Sequence, residues 1–197
     1  SITVNAINSY DDLMLSDTRS SSAYLYYMFG YGAGIEHRSA DINGEVSNSG
    51  TISVTASNSL INSAFISDDE DAYVTSASNS AYGIYLGGGM STVAGDVSNS
   101  GGITVSASNA FNVDLTAQEG VRIEYGAARA YGMKLDTILD GDVINTADGV
   151  IAATATNSVY DMTLSGKEED AYWSALQASA YGIRLQGSAT GTLDNSG

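Results

Sequence analysis

One heptapeptide constrains this chain more than any other feature. G-E-V-S-N-S-G runs from Gly44 to Gly50 and returns as G-D-V-S-N-S-G from Gly95 to Gly101. It recurs as G-D-V-I-N-T-A from Gly141, and as G-T-L-D-N-S-G from Gly191 to Gly197. Cutting after each copy gives four units, 1–50, 51–101, 102–149 and 150–197. Self-similarity at a fixed period marks a repeat array, in which each unit buries its apolar face only against its neighbours.

Within a unit the strongest pattern is alternation. Each unit opens with an apolar–polar stretch, I-T-V-N-A at Ile2, I-S-V-T-A at Ile52, I-T-V-S-A at Ile103 and I-A-A-T-A at Ile151. Period-2 alternation rich in β-branched residues predicts a strand with one buried face. Ile2, Val4, Ala6 and their equivalents point inward, while the column Thr3, Ser53, Thr104 and Ala152 points out. A second strand reads A-Y-G-I-Y-L from Ala81, A-Y-G-M-K-L from Ala130 and A-Y-G-I-R-L from Ala180, with G-A-G-I-E-H from Gly32 as a weaker relative. Here Ile84, Leu86, Met133, Leu135, Ile183 and Leu185 face in, and Glu36, Tyr85, Lys134 and Arg184 face out. The V-S-N-S piece makes a third strand, with Val46, Val97, Val143 and Leu193 inward. A fourth apolar patch ends near Leu15, Ile66, Leu115 and Leu164. An aromatic position follows it at Tyr24, Tyr73, Tyr125 and Tyr172. The segment from Glu168 to Ala180 comes nearest to a helical pattern, but its relatives contain V-T-S-A-S-N-S, so it reads as strand or loop.

Identical residues at identical positions are what a parallel β-helix produces, because neighbouring coils stack equal residues about 4.8 Å apart. The expected fold is therefore all-β, a single parallel β-solenoid over residues 1–197. With four short strands per unit, it would make about two rungs per repeat, and its eight rungs would form a rod roughly 40 Å long. Two asparagine columns follow, Asn8, Asn58, Asn109 and Asn157, and Asn48, Asn99, Asn145 and Asn195. A buried asparagine at a corner can bond its stacked neighbours and so satisfy polar groups that a bend would orphan.

Composition removes many functions. Seven Lys and Arg stand against 23 Asp and Glu, a net charge of −16. Nucleic acid and anionic lipid are poor partners for such a chain. No apolar run is long enough for a spanning helix, so no direct membrane insertion of this segment is expected. There is no Cys and a single His, His37, which leaves little material for thiolate or His-rich metal sites or for a Ser-His-Asp triad.

The combination A-Y-G-I-x-L, then G-D-V-S-N-S-G, then T-I-S-V-T-A-S-N-S resembles the passenger repeats of large bacterial autotransporters and surface adhesins. The likeness covers all four units and is strongest from Ala81 to Asn109. It implies a β-helix exported to the cell surface, with roles in adhesion, self-association and biofilm. The membrane barrel and linker helix of that family have no counterpart in this sequence.

Three sets of residues carry candidate chemistry. Asp68, Asp69, Glu70 and Asp71, echoed by Glu168, Glu169 and Asp170, are weak Ca²⁺ candidates; they lack both the EF-hand spacing and the nonapeptide of calcium-binding β-rolls, so a solvated loop accounts for them better. No other metal or cofactor is expected. Tyr82, Tyr131 and Tyr181 repeat at one position and read as a packed column, whereas Tyr24, Tyr26, Tyr27, Phe29 and Tyr31 exceed what the repeat demands and read as exposed. Glu36, Asp41 and Glu45 lie near His37 and could support saccharide cleavage, but Glu36 occupies a variable outward slot, and a surface charge is the simpler account. The outward Thr3 column is too mixed for an ice-binding ladder. The expectation is a structural extracellular rod of a bacterial adhesin or filament, not an enzyme. It would associate end to end, as a segment of a longer array or filament, and present its sides to a glycan or host-surface molecule. The competing reading is a carbohydrate-binding or carbohydrate-cleaving β-helix.

Overall fold

The computed structural model describes residues 1–17, 22–167, 171–174 and 176–197, with the side chains at 17, 27, 76, 88–90, 125 and 173 outside the description. Among the described residues there is no helix, and so none long and apolar enough to cross a membrane. Three parallel sheets carry the chain. The first holds the openings of the units, including Thr51–Ser67 and Gly102–Ala117. The second holds the A-Y-G strands, including Ala72–Ala94 and Val121–Leu139. The third stacks Val46–Asn48, Val97–Asn99, Val143–Asn145 and Leu193–Asn195.

Neighbouring units pair residue for residue. Ile2 lies opposite Ile52, Ile52 opposite Ile103, and Ile103 opposite Ile151. The structure is a parallel β-solenoid, but with one coil per repeat instead of two rungs. Each unit is consumed by two long strands, of 17 and 23 residues in the second unit, and one short one. The two halves of a unit face each other across the interior and do not stack. Four coils therefore replace eight, and the first and last lie about 14 Å apart.

Alternation sets the core. Ile52, Val54, Ala56 and Leu60 are buried on one side of their strand. They divide between two clusters. Ile52, Val54 and Ala56 pack with Ile84, Leu86 and Val97, whereas Leu60 packs with Phe65, Val74 and Val121. Fully burying each large side chain contributes about 1.5–3 kcal/mol. The expected inward set of the second strand holds, with Ile84 and Met133 at 0% exposure. In the first and last coils the same positions are covered on one side only. Ile2 is 38% and Leu193 54% exposed, against 0% for Ile52 and Val97.

Two register assignments are corrected. The fourth patch aligns Leu15, Phe65, Leu115 and Leu164, so Phe65 and not Ile66 is the buried member. An extra residue between Leu60 and Ser63, with Asn62 at φ 49°, shifts the frame by one. The aromatic column after the acidic insert aligns Tyr24, Tyr73, Arg122 and Tyr172, placing Arg122 where Tyr125 was expected.

The glycine of A-Y-G has a packing reason. A Cβ on Gly83 would lie 2.3 Å from Ile103 Cγ2 and 2.5 Å from the Gly132 carbonyl oxygen. Gly34 and Gly132 stand in the same relation to Ile52 and Ile151. One column of glycines in the second sheet thus makes room for one column of isoleucines in the first.

Candidate functional site

The asparagine columns are interior ladders. Asn8 Nδ2 donates to Asn58 Oδ1 at 2.9 Å, Asn58 to Asn109 at 3.1 Å, and Asn109 to Asn157 at 2.7 Å. The same amides reach the second sheet, Asn8 to the Phe29 carbonyl, Asn58 to Met28 and Asn157 to Gln177. The second ladder runs Asn48 to Asn99 at 2.7 Å, Asn99 to Asn145 at 2.8 Å and Asn145 to Asn195 at 2.9 Å. Its amides also donate to the carbonyls of Gly50, Gly101 and Gly149 at the corner. Every rung of the two ladders donates forward along the chain, so both have a direction.

A third internal asparagine escaped the repeat reading. Asn79 is fully buried and donates to Asn109 Oδ1 at 2.8 Å. A Cβ on Gly30 would lie 2.1 Å from its Oδ1. The neighbouring coils carry Gly30 and Ala128 at its position, so no column advertised it.

The acidic insert bonds within the wall. Asp71 Oδ1 accepts the Gly120 amide at 2.8 Å, and its other oxygen accepts the Tyr73 hydroxyl. Glu70 accepts the Ser22 hydroxyl at 2.9 Å. Asp68 and Asp69 are exposed, and their echo at Glu168, Glu169 and Asp170 lies outside the described residues. Among the described residues no three His, Asp or Glu side chains gather as a metal-binding group. A further set of carboxylates ties coil to coil. Asp96 accepts the Asp142 amide at 2.9 Å, and Asp142 accepts the Thr192 amide at 2.7 Å and its hydroxyl at 2.9 Å. The Thr192 backbone N–H, then its hydroxyl, hold the Asp142 carboxyl below the usual range.

The residues considered for saccharide cleavage are each engaged separately. Glu36 accepts from Tyr31 at 2.7 Å and pairs with Arg38. Asp41 accepts the Thr92 amide at 2.8 Å, and Glu45 accepts the Ser98 hydroxyl at 2.6 Å. His37 Nε2 sits 3.0 Å from the Ala40 carbonyl.

The outer face of the second sheet holds the most organised surface. Tyr82 stacks on Tyr131 with ring centroids 5.1 Å apart and planes 6° apart, and Tyr131 on Tyr181 at 5.4 Å and 3°. Tyr31 closes the column at 5.4 Å from Tyr82, although it pairs with Ser80, two residues earlier. Beside the rings lies the outward slot Glu36, Tyr85, Lys134 and Arg184. Lys134 Nζ lies 4.9 Å from the Tyr85 ring centre and 5.6 Å from that of Tyr131. Arg184 lies 4.8 Å from the Tyr181 ring and donates to the Tyr131 hydroxyl at 2.9 Å. Arg38 lies 5.4 Å from the Tyr31 ring and 5.2 Å from that of Tyr85. Burial pushes the Tyr82 hydroxyl up, against the opposing effects of the Ser80 side chain and of Arg129, which pairs with Ser80. The sequence showed both columns separately. Their adjacency follows from Tyr82 and Tyr85 flanking the offset at Gly83, which places two outward residues three apart instead of two.

Tyr24, Tyr26, Phe29 and Tyr31 are exposed, between 40% and 59%, as their excess over the repeat suggested. Tyr27 falls among the undescribed side chains. The outward column Thr3, Ser53, Thr104 and Ala152 is in register on the first sheet.

Comparison with family models, curated proteins and solved structures finds no match to this chain.

Proposed function

We propose that this chain is part of a structural extracellular β-solenoid, a segment of a bacterial surface adhesin or filament acting in adhesion and self-association. The observation that carries the reading is the residue-for-residue stacking of all four coils, interrupted only by local bulges and reinforced by two directional asparagine ladders. Such a stack stiffens along its axis and can be lengthened by adding coils, because each coil interacts only with its neighbours. Three further features support it. Glu70 and Asp71, and likewise Asp96 and Asp142, bond adjacent coils. Variable side chains are displayed outward at fixed positions on the wall, where binding chemistry can change without disturbing the core. The sequence resembles autotransporter passenger repeats over all four units.

End-to-end stacking belongs to the same proposal. A ladder that donates forward presents an acceptor at the Asn8 end and a donor at the Asn157 end, so like-oriented coils complement each other and opposed ones do not. Heterologous stacking of this kind gives open fibres. Electron microscopy of the native surface material tests the reading. Rods or fibres one coil in cross-section are expected; compact particles with no axial extension would overturn it.

A further inference from the structure

The strip of cations and tyrosines on the second sheet has a property that a stiff rod does not require. Arg38, Arg129, Lys134 and Arg184 are more than half of the chain's seven Lys and Arg, yet they share one outer face. The carboxylates on that strip are Glu36, paired with Arg38, and Asp136, 3.7 Å from Lys134. The strip is therefore positive on a molecule whose net charge is −16.

We propose that this strip binds an anionic polysaccharide, an extended sugar chain carrying carboxylate or sulfate groups. The inference deepens the reading of the chain as an extracellular rod, because that is where such polymers are met.

Charge sign selects an anion, and charge density selects a glycan over nucleic acid. The strip offers a small positive surplus on a chain whose net charge is −16. Duplex DNA carries one charge per roughly 1.7 Å and would bring its remaining phosphates against that negative surround. A sugar acid spaces its charges further apart. Geometry agrees. The tyrosine column steps once per coil, with ring centres 5.4, 5.1 and 5.4 Å apart from Tyr31 to Tyr181, and cations stand beside it in the first, third and fourth coils. That step is close to the advance per residue of an extended pyranose chain.

Preorganisation favours the strip as well. Arg38, Lys134 and Arg184 are already seated against rings, so less side-chain freedom is lost on binding. Arg184 spends one donor on Tyr131, and a guanidinium has five. Tyr82 and Tyr131, 8% and 3% exposed, form a rigid floor, while Tyr31 and Tyr181, 43% and 40% exposed, offer ring surface at its two ends. Aromatic area beside charge-assisted donors suits a ligand that is part apolar ring face and part carboxylate or sulfate.

The test uses the purified whole chain and calorimetry at low salt. Chondroitin sulfate and polygalacturonate serve as anionic probes, dextran as the neutral sugar, and duplex DNA as the competing polyanion. We expect the two anionic glycans to bind, dextran not to bind, and DNA to bind more weakly. The Lys134→Gln/Arg184→Gln pair should weaken glycan binding at least ~10-fold. Arg122→Gln, in the separate column with Tyr172, should leave it unchanged. Should the pair unfold, as judged by circular dichroism, Arg184→Gln alone in the last coil should still weaken binding severalfold. Equal binding by wild type and strip variants, tighter binding of DNA, or the same loss in Arg122→Gln would each overturn the proposal. None of these results bears on whether the native material forms rods, so the two readings fail separately.

Discussion

Asn58 Nδ2 stands 3.1 Å from Asn109 Oδ1 in the next coil and 2.8 Å from the Met28 carbonyl across the interior. One buried amide thus joins two coils and two sheets, at the point where the core divides into its two clusters. Asn58→Ala would take one donor from the Met28 carbonyl and one from Asn109 Oδ1, which keeps Asn79, and would remove the acceptor of one Asn8 amide hydrogen. Leaving buried groups unpaired costs about 1–3 kcal/mol. Asn8→Ala removes an end rung in a half-exposed position and should cost clearly less. Urea unfolding of both variants measures the difference; equal effects would show that the ladder does not act as a chain of buried bonds.

The glycine column makes a second contrast available. Gly83→Ala puts a methyl against Ile103 Cγ2 and, less forgivingly, against the Gly132 carbonyl. Overpacking of this kind costs about 1–3 kcal/mol. At Gly102 the nearest atom to an added Cβ is Thr51 Cγ2 at 4.0 Å, so Gly102→Ala should be nearly neutral. Ile103→Leu, which removes Cγ2 at nearly constant volume, should recover little in the Gly83→Ala background, because the clash with the Gly132 carbonyl remains. Thermal unfolding of the three variants decides the matter, and full recovery would place the strain in the isoleucine alone.

Much of this architecture could be read from the sequence because a solenoid writes its contacts as columns. Ile52 and Ile103 stack because they recur, and the same logic found Asn58 with Asn109 and Tyr82 with Tyr131. What recurrence cannot say is how many times the chain turns within one period. The two alternating stretches of a unit look like successive rungs, yet they share no column with each other and pack face to face. Local events also break the reading. The extra residue at Asn62 moved the inward position from Ile66 to Phe65, and Asn79 has no counterpart above or below it. The cation strip depends on adjacency between columns, which repetition along the chain does not encode.

Asp142 gives the fold a dependence on acid. Its carboxylate accepts the Thr192 amide and hydroxyl, and its folded pKa is lowered. A depressed carboxyl stabilises the folded state above its unfolded pKa. That contribution is lost as pH falls through the ordinary carboxylate value, near ~3.9, toward the lower folded one. Asp142→Asn keeps an acceptor oxygen but not the charge. Its melting temperature should lie below that of the wild type at neutral pH, and the gap should close once the medium is acid enough to protonate Asp142. A gap independent of pH would show that the charge on Asp142 contributes nothing.

Joining two copies in tandem tests the directional stack most directly. The string Asn195-Ser196-Gly197 followed by Ser1-Ile2-Thr3-Val4 reproduces the internal passage Asn48-Ser49-Gly50-Thr51-Ile52-Ser53-Val54 with two conservative changes, Ser1 for Thr51 and Thr3 for Ser53. A direct fusion should therefore continue the coil register through the joint. The donor end of each ladder would meet the acceptor end of the next, Asn157 facing the second copy's Asn8, and Asn195 its Asn48. The joint would also cover the recess of about 370 Å³ at the last coil, lined by Asn145, Ile151, Ile183 and Leu193 among others. Leu193 and Ile2, 54% and 38% exposed, would become interior there, as Val97 and Ile52 already are. In a nearest-neighbour stack each added interface raises stability and cooperativity. The fusion should melt at a higher temperature than the single copy, in one transition. The same fusion with a long flexible linker, which leaves covalent length but not register, should gain less. If both fusions melt where the single copy does, the ends are not complementary, and the filament proposal loses its physical basis.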